Sequence, residues 1–112
     1  MTVIHADQVH EMSAAEVAAE ITRVTRGNKA YLSFDIDCLD PAFAPGTGTV
    51  EVGGLSTWQA LEIIRGCRGL NLVGADCVEV SPPYDPSGNT AITAAYLLFE
   101  MLCVMPGVQY RA

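Results

Sequence analysis

The sequence predicts an α/β fold: a three-layer arrangement in which a parallel sheet carries helices on both faces. Three observations predict it. Short β-prone runs at residues 2–4, 30–37 and 70–80 alternate with segments whose apolar residues recur at helical spacing. Two of the helical segments open on capping boxes, and Pro/Gly-rich stretches close the runs between them. An order of strand, helix, strand, helix, strand, helix calls for parallel neighbours joined by right-handed crossovers.

Thr2, Val3 and Ile4 form a brief β-prone run, and the polar residues from His5 to His10 after it suggest a strand end and a loop. Ser13 and Glu16 then make a Ser-x-x-Glu box, with Ala14, Val17, Ala18, Ile21 and Val24 on one helical face until Arg26-Gly27-Asn28 stops the helix. The next strand reaches Asp37 and breaks into a loop rich in proline and glycine. Ser56 to Gln59 is the second box and starts a helix to about Arg68, with Leu61, Ile64 and Trp58 expected to face the core. Residues 70–80 are apolar enough for a central parallel strand, and Ser81-Pro82-Pro83 ends it because proline cannot extend a ladder. Asn89 or Thr90 is expected to cap the last helix, which runs to about Met105.

A chain of 112 residues, half of them hydrophobic, fits one small domain with a core. Thirteen acidic residues against six basic ones give a net charge of −7, which argues against nucleic acid, since phosphates are gripped by Lys and Arg. The same balance suits a cationic substrate or a metal. Residues 91–105 are the most apolar stretch, but they are too few for a membrane span of roughly 20 residues and read as a buried helix, so no membrane partner is expected. The N-terminus lacks the basic start and long apolar core of a secretory signal. Cys38, Cys67, Cys77 and Cys103 show no Cys-x-x-Cys spacing, as expected of free thiols in the cytoplasm.

Strand alternation puts Ala30, Leu32, Phe34 and Ile36 on one face and Tyr31, Ser33, Asp35 and Asp37 on the other. Two carboxylates therefore stand side by side at the carboxyl end of a strand, where open α/β sheets bind ligands. Like charges this close raise one another's pKa unless a cation lies between them, and hard divalent ions prefer such oxygens. Glu79 occupies the matching end of the next strand, and a carboxylate at a strand end is as often a loop contact as a ligand. Asp76, three residues earlier, is expected on the opposite face as a buried or supporting carboxylate. Cys38 has no helix start or histidine beside it to lower its pKa and reads as a packed thiol.

The stretch Ser-Phe-Asp-Ile-Asp-Cys-Leu-Asp-Pro-Ala-Phe-Ala-Pro-Gly-Thr-Gly-Thr at residues 33–49, followed by Gly53-Gly54-Leu55, resembles a metal motif of the ureohydrolases, the family of agmatinase and arginase. Gly-Ala-Asp-Cys-Val-Glu-Val-Ser-Pro-Pro-Tyr-Asp at residues 74–85 is similar to the segment whose Glu holds the substrate guanidino group in that family. The resemblance covers essentially the whole chain and implies the C-terminal portion of an arginase-like catalytic domain, residues 1–112 being a single partial domain. It implies binuclear manganese chemistry releasing urea from a guanidino substrate. Asp35 would bridge the two ions, Asp37 would bind one, and Glu79 would hold the guanidinium. It further implies a homo-oligomer, trimer or hexamer. Agmatine is the substrate implied first; the chain's ending is also similar to guanidinobutyrase-like and guanidinopropionase-like members, which makes a guanidino acid the runner-up.

The family's other metal ligands lie in two upstream motifs, Gly-Gly-Asp-His and Asp-Ala-His-x-Asp-x-x-Asp, and neither occurs in this sequence. His5, Asp7 and His10 offer donors at loose spacing, but a polar helix entry accounts for them equally well. A non-catalytic fragment that keeps the fold without the activity is thus the alternative expectation. A phosphate-processing Asp-x-Asp enzyme is disfavoured, because no glycine-rich phosphate loop before a helix is present.

Overall fold

The computed structural model describes residues 1–109, which form four α-helices and two β-strands. Residues 2–4 join no ladder, contrary to the expected first strand. A β-prone run becomes a strand only against a neighbouring backbone, and none among the described residues lines up with this one. The expected loop after it is instead a short helix, α1 (Ala6–Glu11), whose first turn is closed by the Gln8 side chain accepting from the His5 amide at 2.9 Å.

Helix α2 (Ala14–Thr25) starts and stops where the sequence predicts. The Ser13 hydroxyl accepts from the Glu16 amide, and the Glu16 carboxylate accepts from the Ser13 amide at 2.8 Å. Arg26 leaves the helix in the left-handed conformation. Val17 and Ala18 face inward, and α2 approaches the following helix so closely that a Cβ on Gly66 would lie 2.5 Å from the Ala18 methyl.

Strand β1 (Ala30–Asp35) pairs in parallel with β2 (Leu72–Val78), from Ala30 opposite Leu72 to Asp35 opposite Val78. Between them runs α3 (Thr57–Gly66), opened by the expected Ser56–Gln59 box. Such a strand–helix–strand unit is what a parallel pair requires. The last helix is α4 (Asn89–Val104), packed against α3 and β2. Its N-cap position is Gly88, with neither Asn89 nor Thr90 in the capping role.

The core gathers Ile36, Leu39, Ile64, Leu97 and Met101, each almost fully buried, with Leu72 beside them. Burying one such side chain stabilises the fold by roughly 1.5–3 kcal/mol. Leu61 is partly buried against this cluster, but Trp58 is 64% exposed, correcting the expectation that it faces inward. Its ring lies under the Arg65 guanidinium, 5.7 Å from the ring centroid, while Arg65 also bridges Glu62 and Glu100 between α3 and α4. Helix α4 is buried on one side only: Ala94, Leu97 and Met101 face the core, whereas Tyr96, Phe99 and Leu102 are exposed. No helix among the described residues is long and apolar enough to cross a membrane.

Candidate active site

Residues 30–36 alternate in burial as the sequence predicts, with Tyr31, Ser33 and Asp35 outward and the fully buried Ile36 closing the inner set. The strand ends at Asp35, however, two residues earlier than expected, and Ile36–Cys38 forms a 3₁₀ turn. Asp37 is therefore not on the strand at all. Its neighbourhood to Asp35 comes from the turn, in which the Asp37 amide donates to Oδ1 of Asp35 at 3.1 Å. The Ile36 anchor and this bond hold the two carboxylates together at the strand's carboxyl end.

Glu79 follows directly after β2 and has a left-handed backbone, φ 67°. For a residue other than glycine this conformation is uncommon, and it clusters at functional positions. Strand parity alone would set Glu79 with Ala75 and Cys77, on the side facing the core; the left-handed residue breaks that alternation. The Glu79 charge bears on Asp35. Burial, first, and then the charges of Asp37 and Glu79 push the Asp35 carboxyl above its ordinary range, against the lowering effect of the Asp37 amide. Three acidic groups at the carboxyl ends of two paired strands thus share one rim of the sheet.

Around them the loop of residues 39–56 is tightly stapled. Asp40 accepts from the amides of Ala42 and Gly53, both at 2.8 Å, and those bonds hold its carboxyl below the usual range. Leu55 donates to the Cys38 carbonyl at 2.8 Å and accepts from the Asp40 amide at 2.9 Å. The Thr49 hydroxyl donates to Oδ2 of Asp37. A cleft of about 400 Å³ opens here, lined by Asp37, Cys38, Glu51, Gly53 and Leu55 with Ile4 opposite. A larger depression of about 460 Å³ lies away from the rim against α1 and α2, where Glu16 and Arg23 are already paired with Ser13 and Glu20.

The other sequence candidates fall as follows. His10 sits with Nε2 2.7 Å from the Gly53 carbonyl, tying α1 to the loop. Asp76 shares the face of Asp35 through its pairing with Ser33, and accepts from the Ser33 hydroxyl at 2.6 Å and the Tyr31 hydroxyl at 2.9 Å. Cys38 is a packed thiol, pushed up to about 12 by burial first and then by the charges of Asp35 and Asp37. Sequence reasoning missed Thr49 and the Tyr31–Ser33–Asp76 group. Parity already placed Tyr31 and Ser33 beside Asp35, and that was the available signal.

The donors at the rim suit a hard divalent cation: they are oxygens, negatively charged and crowded. They fit as part of a site. No group of three or more His, Cys, Asp or Glu side chains able to hold a metal ion occurs among the described residues, so a metal held at Asp35 and Asp37 would need donors from elsewhere.

Comparison with known proteins gives the family. The family model described as Arginase family matches residues 1–103. The chain is 58% identical to a guanidinobutyrase of Pseudomonas aeruginosa, over 97% of this chain and 34% of that protein. It is 57% identical to a mitochondrial agmatinase of Gallus gallus, over 96% of this chain and 32% of that one. The crystal structure of a hypothetical agmatinase from Burkholderia thailandensis superposes with a TM-score of 0.89 at 55% identity, covering 93% of this chain and 33% of that one. The chain spans about a third of the length of these relatives. With its parallel α/β core and its acidic rim, the chain belongs to the Arginase family and corresponds to a segment of an agmatinase-like enzyme.

Proposed function

We propose that this chain supplies the acidic rim of a C-terminal catalytic portion in an enzyme that hydrolyses a guanidino compound to urea and an amine. Water adds across one C–N bond: its oxygen goes to the guanidinium carbon, and the alkyl nitrogen takes up a proton and leaves as the amine. Asp35 and Asp37 would hold manganese together with ligands contributed from outside these 112 residues. A bound divalent ion lowers the pKa of water and offsets charge developing in the transition state. Glu79 takes the guanidinium through paired charge-assisted hydrogen bonds, fixing its plane against the rim. Thr49 holds the Asp37 carboxylate in one orientation, and Ile36 keeps the turn that joins Asp35 to Asp37.

The placement of Asp35 at the end of β1, Asp37 in the turn after it and Glu79 directly after Val78, the residue paired with Asp35, supports this proposal by setting three carboxylates at the carboxyl ends of two parallel strands. The family resemblance makes agmatine, whose far end is cationic, the first substrate to offer. The similarity to a guanidinobutyrase favours a guanidino acid as a second reading. By the same family resemblance the enzyme is a homo-oligomer, and its free thiols suit the cytoplasm.

The test is urea release with added manganese, from this chain alone and from an intact guanidinobutyrase in which residues 1–109 replace the matching segment. Agmatine, 4-guanidinobutyrate and 3-guanidinopropionate are offered in parallel. The chimera is expected to release urea and its Glu79→Gln variant to lose that activity, while the chain alone stays inactive. An inactive, folded chimera would refute the proposal; activity from the chain alone would refute the need for outside ligands.

A further inference from the structure

Asp35 and Asp37 leave β1 on one loop, and Glu79 leaves β2 on another. The ladder between the strands ends at Asp35 opposite Val78, so strand pairing does not reach Asp37 or Glu79. What joins the two loops beyond that point is the peptide of Gly46. Its carbonyl accepts from the Ser81 amide at 2.8 Å, two residues past Glu79. Its amide donates to the Thr90 hydroxyl at 2.8 Å, on the first turn of α4. Thr90 is fully buried.

Asp85 completes the junction. Its carboxylate accepts from the amides of Thr90 at 3.1 Å and Ala91 at 2.9 Å, which supplies the cap that α4 lacks at Gly88. There is no room for a side chain at the crossing point. A Cβ on Gly46 would lie 2.4 Å from the Asp85 Cβ and 2.8 Å from the Thr90 oxygen. Three residues beyond Gly46, Thr49 grips Asp37. A path therefore runs from Asp37 through the Thr49 bond, along the backbone from residue 49 back to Gly46, and through the Gly46–Ser81 bond to the Glu79 turn.

A helix cap alone would account for Asp85 but not for Thr90. The Thr90 hydroxyl accepts from a residue 44 positions away, on the loop that carries the acidic pair. We propose that Thr90, seated by Asp85, is a positioning residue: by holding the Gly46 peptide between the two rim loops it sets the separation of Glu79 from Asp35 and Asp37. This inference rests on the guanidino-hydrolase reading and adds to it the residues that fix where the guanidinium stands relative to the acidic pair. Small misplacements matter in such a site, because an error on the order of 1 Å costs about a hundredfold in rate.

The test compares Thr90→Val, which keeps the shape and removes the hydroxyl, with Thr90→Ser, which keeps the hydroxyl. On this chain, amide hydrogen exchange at Gly46 and Ser81 is expected to quicken by on the order of tenfold or more in Thr90→Val and to stay near wild type in Thr90→Ser. Exchange at Leu32 and Phe34 in β1 should not change. In the guanidinobutyrase chimera, Thr90→Val is expected to lower kcat by roughly 10- to 100-fold with KM little changed, and Thr90→Ser to restore it. If Thr90→Val fails to fold, Asp85→Asn is read in the same two assays with the same expectation. Unchanged exchange at Gly46 and Ser81, or a wild-type kcat in folded Thr90→Val, overturns the proposal while leaving the functional reading intact. A wild-type chimera that releases no urea overturns both.

Discussion

The hydroxyl of Thr49 donates to Oδ2 of Asp37, twelve residues earlier in the chain. That bond removes one torsional choice from the side chain. Partners that orient a metal-binding carboxylate typically affect metal affinity by about 10- to 100-fold. Thr49→Val in the chimera is therefore expected to weaken manganese binding by roughly tenfold, measured by titration of the free ion, with Thr49→Ser close to wild type. Equal affinity in Thr49→Val would mean that Asp37 keeps its orientation without this hydroxyl.

Gly54 and Gly48 sit in the same loop but answer to different constraints. A Cβ on Gly54 would lie 2.6 Å from both the Asp40 nitrogen and the Cys38 oxygen, whereas one on Gly48 would meet nothing within 4 Å. Backbone cannot swing aside as a flexible side chain does, and here it carries the bridge between Leu39 and Leu55. Gly54→Ala is expected to destabilise by about 1–3 kcal/mol. Gly48→Ala should stay within about 0.5 kcal/mol of wild type. Urea denaturation of the two variants decides; equal midpoints would show that the loop relaxes around the added methyl.

Asp85 supplies a pH dependence whose sign follows from its bonds. Ala91 and Thr90 donate to its carboxylate and hold its pKa below the ordinary range, against the raising effect of burial. The unfolded chain then binds the proton more readily than the folded one. Asp85 thus contributes stability that is present above its unfolded pKa of about 3.9 and is lost as pH falls through the lower folded value. The urea midpoint should drop on acidification below about pH 4, and Asp85→Asn should flatten that part of the curve. A variant curve parallel to wild type would remove Asp85 from the account.

These positions show where sequence pattern carries information and where it does not. Helices α2 and α3 were legible because Ser13 with Glu16 and Ser56 with Gln59 are local devices, complete within four residues. The acidic pair was legible as a pair, but for a reason the structure replaces: alternation predicted a shared strand face, and a 3₁₀ turn at Ile36 supplies the proximity instead. Helix α1 was not legible, since six residues with no buried side chain carry no amphipathic pattern, and part of what holds them is a bond from His10 to distant Gly53. The first strand failed because pairing is a property of two segments. Thr90 stood out only as a possible helix cap for the same reason: its partner Gly46 lies on another loop, and nothing in the intervening residues marks the contact.

Glu79 brings stability and function into opposition. Its left-handed φ of 67° costs a residue with a Cβ about 1–2 kcal/mol, and glycine adopts it freely. Glycine also widens the unfolded ensemble, which offsets part of the gain, so relief on the order of 0.5–1 kcal/mol is expected from Glu79→Gly. Glu79→Gln keeps the strain and removes the charge. Both variants should abolish urea release in the chimera, yet only Glu79→Gly should raise the urea midpoint of this chain. Strain at this position is consistent with the role proposed for Glu79, since such conformations cluster at functional sites. If Glu79→Gly is instead less stable than wild type, the side chain anchors the turn through its own contacts, and the backbone is left-handed for a structural reason.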